Sequence, residues 1–301
     1  MTQPRIAVFA RLANGNAAPT RLITGQNTLL GRTIHGLAYD PARDEIVAPN
    51  ALADAVLVFR AGGTGAERPE RVIQGPHTHM VTPHAVSLDL RNREILVASL
   101  TGKRINVFRW DDDGDATPVR VITGPKTDLG HLVGLAVDPD RNLLAVANSE
   151  DILIFNRTDN GNVAPRARIM GPKTGMTDEP WQMEFYKGRI FLAASNHFHR
   201  NLYDGVTLKP DSKEVPDDPW LNPVLGFMGV WNITDNGDVA PLAMIRGPFS
   251  GLIHPVGLAL NPKDGEIYVS DSVKNGVLSF LVPQLFEQDD KVGKAAEGRH
   301  R

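Results

Sequence analysis

The sequence predicts an all-β fold, a β-propeller of four-stranded antiparallel blades, from two repeated modules. The first module begins with Phe or Trp and ends sixteen positions later at Gly. It occurs five times, at 9–25, 59–75, 108–124, 155–171 and 231–247. Such a constant spacing indicates a repeated structural unit rather than chance.

The second module follows each of these glycines. It consists of two short apolar runs joined by a turn, as in GLAVDPDRNLLAVAN at 134–148. The small residue that opens the first run recurs, with one exception in the fourth copy, at Gly36, Ala85, Gly134, Gln182 and Gly257. The steps between copies are 49, 49, 48 and 75 residues. A period of 40 to 50 residues with four short strands is typical of propeller blades.

We name the four strands of each unit A to D. Strands A and B come from the second module and strands C and D from the first, and each is a short apolar run bounded by turn residues. Four of the C–D links contain Asn-Gly or Asp-Gly, at 14–15, 113–114, 160–161 and 236–237. These residues tolerate positive φ, which favours a hairpin.

The order of the strands predicts how the ring closes. The chain begins with a C–D pair at 6–25 and ends with an A–B pair at 256–271. The simplest ring has five blades, and its N-terminal strands complete the C-terminal blade. A further strand-C pattern at 276–282 keeps six blades as the alternative. The segment 276–282 would compete with the strand at 5–10 for the strand-C place of the last blade, form an additional edge strand, or mark a sixth, incomplete blade.

The repeat extends over nearly the whole chain, so we predict a single propeller domain over residues 1–286. The remaining residues, 287–301, are polar and aperiodic, and we expect them to be disordered.

The repeat resembles the NHL/YVTN-like propellers, whose blades carry a small-residue strand A, a β-rich strand B and an xVxVF strand C. Segments such as VGLAVDP at 133–139 carry the resemblance, which covers residues 5–282. It implies the propeller fold. Such propellers include lyases, lactonases and non-catalytic binding platforms, so the resemblance implies no single activity.

Composition narrows the range of partners and locations. The net charge is −3 and no run of Lys or Arg occurs, so we expect no nucleic-acid partner. No apolar run approaches the length of about 20 residues that spans a membrane. There is no cysteine, which excludes disulfides and thiolate metal sites. We expect a cytoplasmic location if Met1 is native, although a chain trimmed of a signal peptide would look the same.

The D–A loops are expected to surround one mouth of the central channel, a concave place suited to a small-molecule ligand. The position three residues before the small residue of strand A holds Thr33, Thr82, His131, Glu179 and His254. The last three come from consecutive blades. Two imidazoles and a carboxylate suit a divalent metal, and we predict Zn, Mn, Fe or Ca there. The alternative is that they are polar residues at a wet channel mouth.

A second position in these loops gives weaker ligand candidates. Two residues further on, the five copies hold His35, His84, Val133, Trp181 and Val256. Because Val and Trp share this position, it is typical of packing between blades, and we rank its two histidines as weaker candidates. His77 and His79, in the loop before blade two, are ranked with them.

The fourth repeat is longer than the others, by 75 − 49 = 26 residues, and the surplus lies in its B–C loop at 196–223. We predict a lid over the channel mouth, and contact between copies of the chain in a homo-oligomer is the alternative. The candidates for contact with substrate in this loop are His197, His199, Arg200 and Tyr203.

Other loops on the same face add further candidates. We predict that Thr33, Thr82, Asn148 and Asp271 contact ligand, although such residues also cap their own turns. In blade four the segment 182–184 departs from the Gly-Leu-Ala pattern, so that blade is specialised as a whole.

Two functions fit these observations. The first is a metal-dependent enzyme, a hydrolase, lyase or oxygenase, that acts on a small molecule at the channel mouth. The second is a non-catalytic module that binds a protein or a carbohydrate. The sequence assigns no catalytic residue to either function.

Overall fold

The computed structural model describes residues 4–32, 34–176, 180–195 and 226–287. The strands are β1 (Arg5–Val8), β2 (Arg21–Thr24), β3 (Ala38–Asp40), β4 (Glu45–Asn50), β5 (Ala55–Arg60), β6 (Arg71–Gln74), β7 (Pro83–Asp89), β8 (Glu94–Ser99), β9 (Arg104–Arg109), β10 (Arg120–Thr123), β11 (Leu132–Asp138), β12 (Leu143–Asn148), β13 (Asp151–Asn156), β14 (Ala167–Ile169), β15 (Pro180–Tyr186), β16 (Arg189–Ser195), β17 (Gly226–Asn232), β18 (Ala243–Arg246), β19 (Pro255–Asn261), β20 (Glu266–Asp271) and β21 (Gly276–Leu281).

Helical structure among the described residues is limited to short 3-10 turns. They lie at Gln26–Thr28, Ala51–Ala53, Pro76–Thr78, Pro125–Thr127, Pro172–Thr174, Pro248–Ser250 and Pro283–Leu285. No helix in this part of the chain has the length and apolar character needed to cross a membrane.

The strands form a five-bladed propeller, which confirms the predicted fold class. Blades one to four are four-stranded antiparallel sheets, β3–β6, β7–β10, β11–β14 and β15–β18, and the strands of each follow one another in chain order. Blade five contains β19, β20 and β21. The predicted insertion at 196–223 in blade four and nearly all of the tail at 287–301 lie outside the described residues.

The N-terminal strands lie in the ring as a separate two-stranded sheet, the N-terminal hairpin. β1 pairs with β2, whereas the place beside β20 is taken by β21. The strand-C pattern at 276–282 therefore belongs to blade five, and the predicted completion of that blade by the N-terminal strands is wrong. The sequence repeat did not distinguish these two strands because both match the same pattern.

Repeated contacts between neighbouring blades locate the hairpin. In blade two Trp110 donates its indole N–H to Glu45 of blade one, at 2.9 Å. Trp110 lies two positions after the aromatic residue of its C–D module, and in the hairpin Arg11 holds that position. Arg11 bonds Glu266 of blade five at 2.7 Å. On its other side the hairpin meets blade one through a bridge between Ile23 and Gly65. The hairpin thus lies between blades five and one.

The apolar core lies between blades. One buried cluster joins Leu96 and Ile105 of blade two to Leu135 and Val137 of blade three. Side chains alternate between the two faces of a strand, so each blade sends one set of apolar residues to each neighbour. Because strand A is innermost in every blade, its side chains decide what surrounds the channel.

Candidate functional site

Four rings from four blades meet at one end of the channel, and we call them the ring cluster: His35, His84, Trp181 and His254. The His35 and His84 ring centroids are 4.0 Å apart and nearly parallel, with 21° between the planes. Trp181 lies 6.0 Å from each of these two rings. His254 meets the indole edge-on at 6.2 Å.

β-bulges aim two of these rings into the channel. Strand A of blade two shifts register between Pro83 and Ala85, so His84 is the extra residue of a bulge. Blade four shifts between Pro180 and Met183, which places Trp181 in the same situation. A bulge bends its strand and re-aims the side chain that it carries. The rings therefore turn toward the channel instead of continuing the regular alternation.

Small residues in the other blades leave room for blade four. A Cβ added at Gly36 would lie 2.7 Å from the Gln182 side-chain nitrogen. A Cβ at Gly134 would meet the backbone carbonyl oxygen of Trp181. The Gln182 amide donates to the Val133 carbonyl at 3.2 Å. Gly134 is thus required by the close approach of the blade-four backbone, whereas a larger residue at position 36 would displace only the flexible end of Gln182.

The two stacked histidines are neutral near pH 7. His84 is 2% exposed. Burial lowers the pKa of His84 to about 3. A proton on His35 would lower this pKa further, whereas the hydrogen bond with the Val133 backbone raises it. His35 is open to solvent by surface area, yet the surrounding protein lowers its pKa as well. Both observations fit a ring at the mouth of a channel. None of the described residues forms a hydrogen bond with His84 Nδ1.

Hydrogen bonds fix the other two rings. His254 Nδ1 lies 2.5 Å from the Ser272 hydroxyl oxygen, and the His254 backbone N–H donates to Asp271 at 2.8 Å. The Trp181 indole N–H donates to the Ser195 hydroxyl. These contacts hold the rings in one orientation before any ligand arrives.

Glu184, in the middle of β15, is a half-buried acid. Burial raises its pKa to about 7. No described residue supplies a hydrogen bond or a counter-charge to its carboxyl group. A carboxyl group with such a pKa gains and loses a proton near neutral pH.

The predicted metal ligands are only partly described. His131 is exposed, and its backbone N–H donates to Ser149. His254 is buried in the ring cluster. Glu179 lies outside the described residues. Among the described residues no three His, Asp or Glu side chains gather to hold a metal ion. The metal site therefore stays a prediction.

The ring cluster itself suits a metal poorly as it stands. Neutral imidazoles are good nitrogen donors. The rings of His35 and His84 are stacked, however, so their in-plane lone pairs run side by side and do not converge on one point.

The other described candidates make local contacts. Asp271 accepts from four backbone N–H groups, those of residues 253, 254, 273 and 274. Asn148 bonds Gly130 and Asp151. Thr82 bonds Asp54 and Thr101. These bonds shape the loops at the channel mouth.

His77 and His79, which the sequence analysis ranked with His35 and His84, lie in the loop before blade two. His77 bonds Asp115 at 2.6 Å, and His79 has positive φ at the end of a 3-10 turn. The remaining candidates lie outside the described residues: Thr33, His197, His199, Arg200 and Tyr203.

The ring cluster joins His254, a first-ranked candidate, to His35 and His84, which sequence reasoning ranked as weaker. Sequence reasoning named neither Trp181 nor Glu184 as a site residue. The signal for them is the segment 182–184, which departs from the Gly-Leu-Ala pattern of the other blades. A bulge recurs at the same position of the repeat in blades two to five, but the loop pattern does not reveal which way a side chain turns there.

An open groove of about 650 Å³ lies beside blades two and three. Lys103, Asp128 and Arg168 line it, and none of the rings does. Arg168 pairs there with Asp128 and Asp151. Arg168 is already paired there and none of the four rings reaches the groove, so we prefer the channel as the site.

Comparison with known proteins adds no assignment. No protein-family model matches this sequence, and a search of curated proteins finds no match.

Proposed function

We propose that this propeller binds a small organic molecule at the channel mouth, against the ring cluster. The observation that supports the proposal is the convergence of His35, His84, Trp181 and His254 from four blades. Pockets lined by aromatic groups with a few polar atoms are the usual form of small-molecule sites. An NHL/YVTN-type propeller, the subfamily that the repeat resembles, would carry such a site on its loop face.

The chemistry of the cluster limits the ligand. His84 is neutral, and its Nδ1 has no hydrogen-bond partner in the described part of the chain. A ligand with a flat face would stack on the rings, and a polar hydrogen-bonding group would meet that nitrogen. A strongly charged ligand would meet no compensating charge from the two stacked histidines.

The test is a screen of small planar heterocycles against the full chain, read out as protection of His35 from diethyl pyrocarbonate by mass spectrometry. We expect a binding compound to slow modification of His35 at least fivefold, while His77 on the rim serves as the unprotected control. Trp181→Leu should abolish the protection. If every compound leaves His35 reactive, the proposal fails.

The enzymatic form of the proposal adds a divalent metal. His131, Glu179 and His254 would hold Zn, Mn or Fe, and the metal would assist hydrolysis, elimination or oxidation of the bound molecule. The contact between His254 Nδ1 and Ser272 is of the kind that orients metal-binding imidazoles.

Metal analysis tests this form separately. Purified protein grown with each metal should carry close to one ion per chain, and the triple alanine variant at 131, 179 and 254 should carry none. The double variant H77A/H79A is the control that keeps the metal. Protein without metal under every supplement rules out the metalloenzyme, while small-molecule binding remains testable.

The second candidate is a non-catalytic module for a carbohydrate or a protein. The near-parallel stacking of His35 and His84 favours it, because flat ring faces suit a sugar better than they suit a metal ion. Simple sugars included in the same screen distinguish this candidate, since protection by sugars without metal supports it.

A further inference from the structure

The sector between blades five and one, which we call the open sector, lacks the inner half of a blade among the described residues. Its outer half is the N-terminal hairpin. In blades one to four the strand equivalent to β1 pairs on its inner side with strand B, as β5 pairs with β4. β1 has no such partner in the described chain. Accordingly, β19 and β3 do not pack extensively, whereas the innermost strands of the other neighbouring blades do.

The free side of β1 is a row of backbone hydrogen-bonding groups. The Val8 carbonyl accepts from the Thr20 N–H, so Val8 faces β2. Groups alternate along a strand, and the N–H and C=O groups of Arg5 and Ala7 therefore face the inner side. In blade one the equivalent side is paired, as the bond from the Ala61 N–H to the Asp44 carbonyl illustrates. An unpaired strand edge is a template for another strand.

Apolar side chains on blade one face the open sector without cover. Leu37 is 48% exposed and Tyr39 is 50% exposed. The residues at the same places in blade three are Leu135 and Val137, which are buried against blade two. Blade one thus presents to the open sector a surface that is covered elsewhere in the ring.

Blade five presents a more polar wall. Tyr268 and Ser270 on β20 occupy the places of Leu96 and Ala98 on β8, which are fully buried between blades. Ser279 takes the place of Val107 in the same way. Two exposed apolar residues of β21, Val277 and Leu281, border this wall. An occupant that fits both walls is apolar toward blade one and carries hydroxyl groups toward blade five.

We propose that the open sector binds a two-stranded β-hairpin of a partner polypeptide, which pairs with the free edge of β1. Sheets that face each other pack about 10 Å apart, so the walls on either side of a missing sheet stand about 20 Å apart. One sheet fills that space, and a small molecule does not. Strand addition supplies affinity through the backbone and specificity through alternate side chains.

A synthetic peptide tests the proposal directly. The probe is residues 83–99 of this chain, the inner strands of blade two, with Val86→Thr and Val97→Thr on the face that meets blade five. We expect the labelled peptide to bind the full-length chain one to one by fluorescence anisotropy. Amide exchange in β1 should slow in the complex.

Two variants of the full chain locate the binding. Ala7→Pro removes an inner-edge N–H and should weaken binding at least tenfold, while the matched control Ala7→Thr, which keeps the N–H, should not. Leu37→Glu changes an exposed position and should weaken peptide binding as strongly. This variant replaces Ala7→Pro as the test if the proline variant does not fold. Absence of saturable binding, or binding that neither variant weakens, overturns the proposal. A dimer of the chain that Leu37→Glu dissociates also overturns it, because the occupant is then a second copy.

Discussion

At the scale of single residues, blade four supplies the side chains that fill the channel. Trp181 and Gln182 extend toward the other blades, and Gly36 and Gly134 accommodate them. Glu184 occupies the place of Ala136, which is buried in blade three. Blade four therefore carries the largest of these groups, while blades one, two and five contribute the three histidines of the ring cluster.

Glu184 should make the stability of the protein depend on pH. Its folded-state pKa of about 7 lies above the ordinary value of 4.5, so the folded chain binds the proton more tightly than the unfolded chain. Stability from this group is present below pH 4.5 and is lost as the pH rises through 7. Because the carboxyl is partly open to solvent, we expect a loss on the order of 2 kcal/mol, less than the full shift implies.

Glu184→Gln should remove this component, so the variant should be more stable than the wild type at pH 8. Denaturant unfolding at pH 5 and pH 8 measures the difference. His84 titrates with the opposite sign in part of this range, and subtracting variant from wild type cancels its contribution. Glu70→Gln, which changes an exposed acid, is the control. An equal pH dependence in the wild type and Glu184→Gln would contradict the assignment.

Residue positions in the repeat could be predicted from the sequence, but side-chain directions could not. The hydroxyl of Thr28 donates to the Gly25 carbonyl, and Thr78, Thr127, Thr174 and Ser250 make the same bond in their own loops. The bond is local, so a repeated pattern reveals it. The bulges recur at one position of the repeat, but whether His84 and Trp181 meet also depends on the distance across the channel, which no pattern along the chain encodes.

At the scale of elements, a glutamate at the start of strand B ties blades one, two and five to the next unit of the ring. Glu94 binds Arg120 of its own blade and Arg157 of blade three, at 2.7 Å each. Glu266 occupies the same place in blade five and binds Arg11 of the hairpin. Arg11 is far more exposed than Arg157. The same interaction should therefore contribute differently at the two places.

We predict that Glu94→Gln destabilises the protein by about 2 kcal/mol or more, because it leaves the guanidinium of Arg120 half-buried without its counter-charge. Glu266→Gln, the matched change at the open sector, should have a much smaller effect, since solvent screens the exposed pair. Chemical denaturation of both variants at one pH measures the ratio. Equal losses would show that burial does not govern this interaction.

Strand patterns alone could predict the elements but not their neighbours. β1 and β21 both read as strand C, and nothing local separates them. What places β21 beside β20 is its direct continuation from β20 through a short turn at 272–275. A nearby strand loses less chain entropy on pairing than a strand from the other end of the chain.

At the scale of the whole molecule, the ring is continuous through blades one to five and weakest at the open sector. β12 is buried along its full length between its neighbours. β21 is mostly exposed and β1 is a short strand with one free edge. Closure there depends on the hairpin, whose contact with blade five includes the exposed pair of Arg11 and Glu266. Local opening follows the places with the least buried apolar contact.

Native-state amide exchange should therefore show a gradient around the ring. We expect protection in β8 and β12 to exceed that in β1, β2 and β21 by a factor of about a hundred or more, because the latter open without unfolding the central blades. Arg11→Ala should lower protection in the hairpin further and leave β12 unchanged. Mass spectrometry of peptides from each blade gives the comparison. Equal protection in β12 and β21 would contradict the prediction. It would mean that the ring opens as one cooperative unit and that the strands beside the open sector are as stable as those between complete blades.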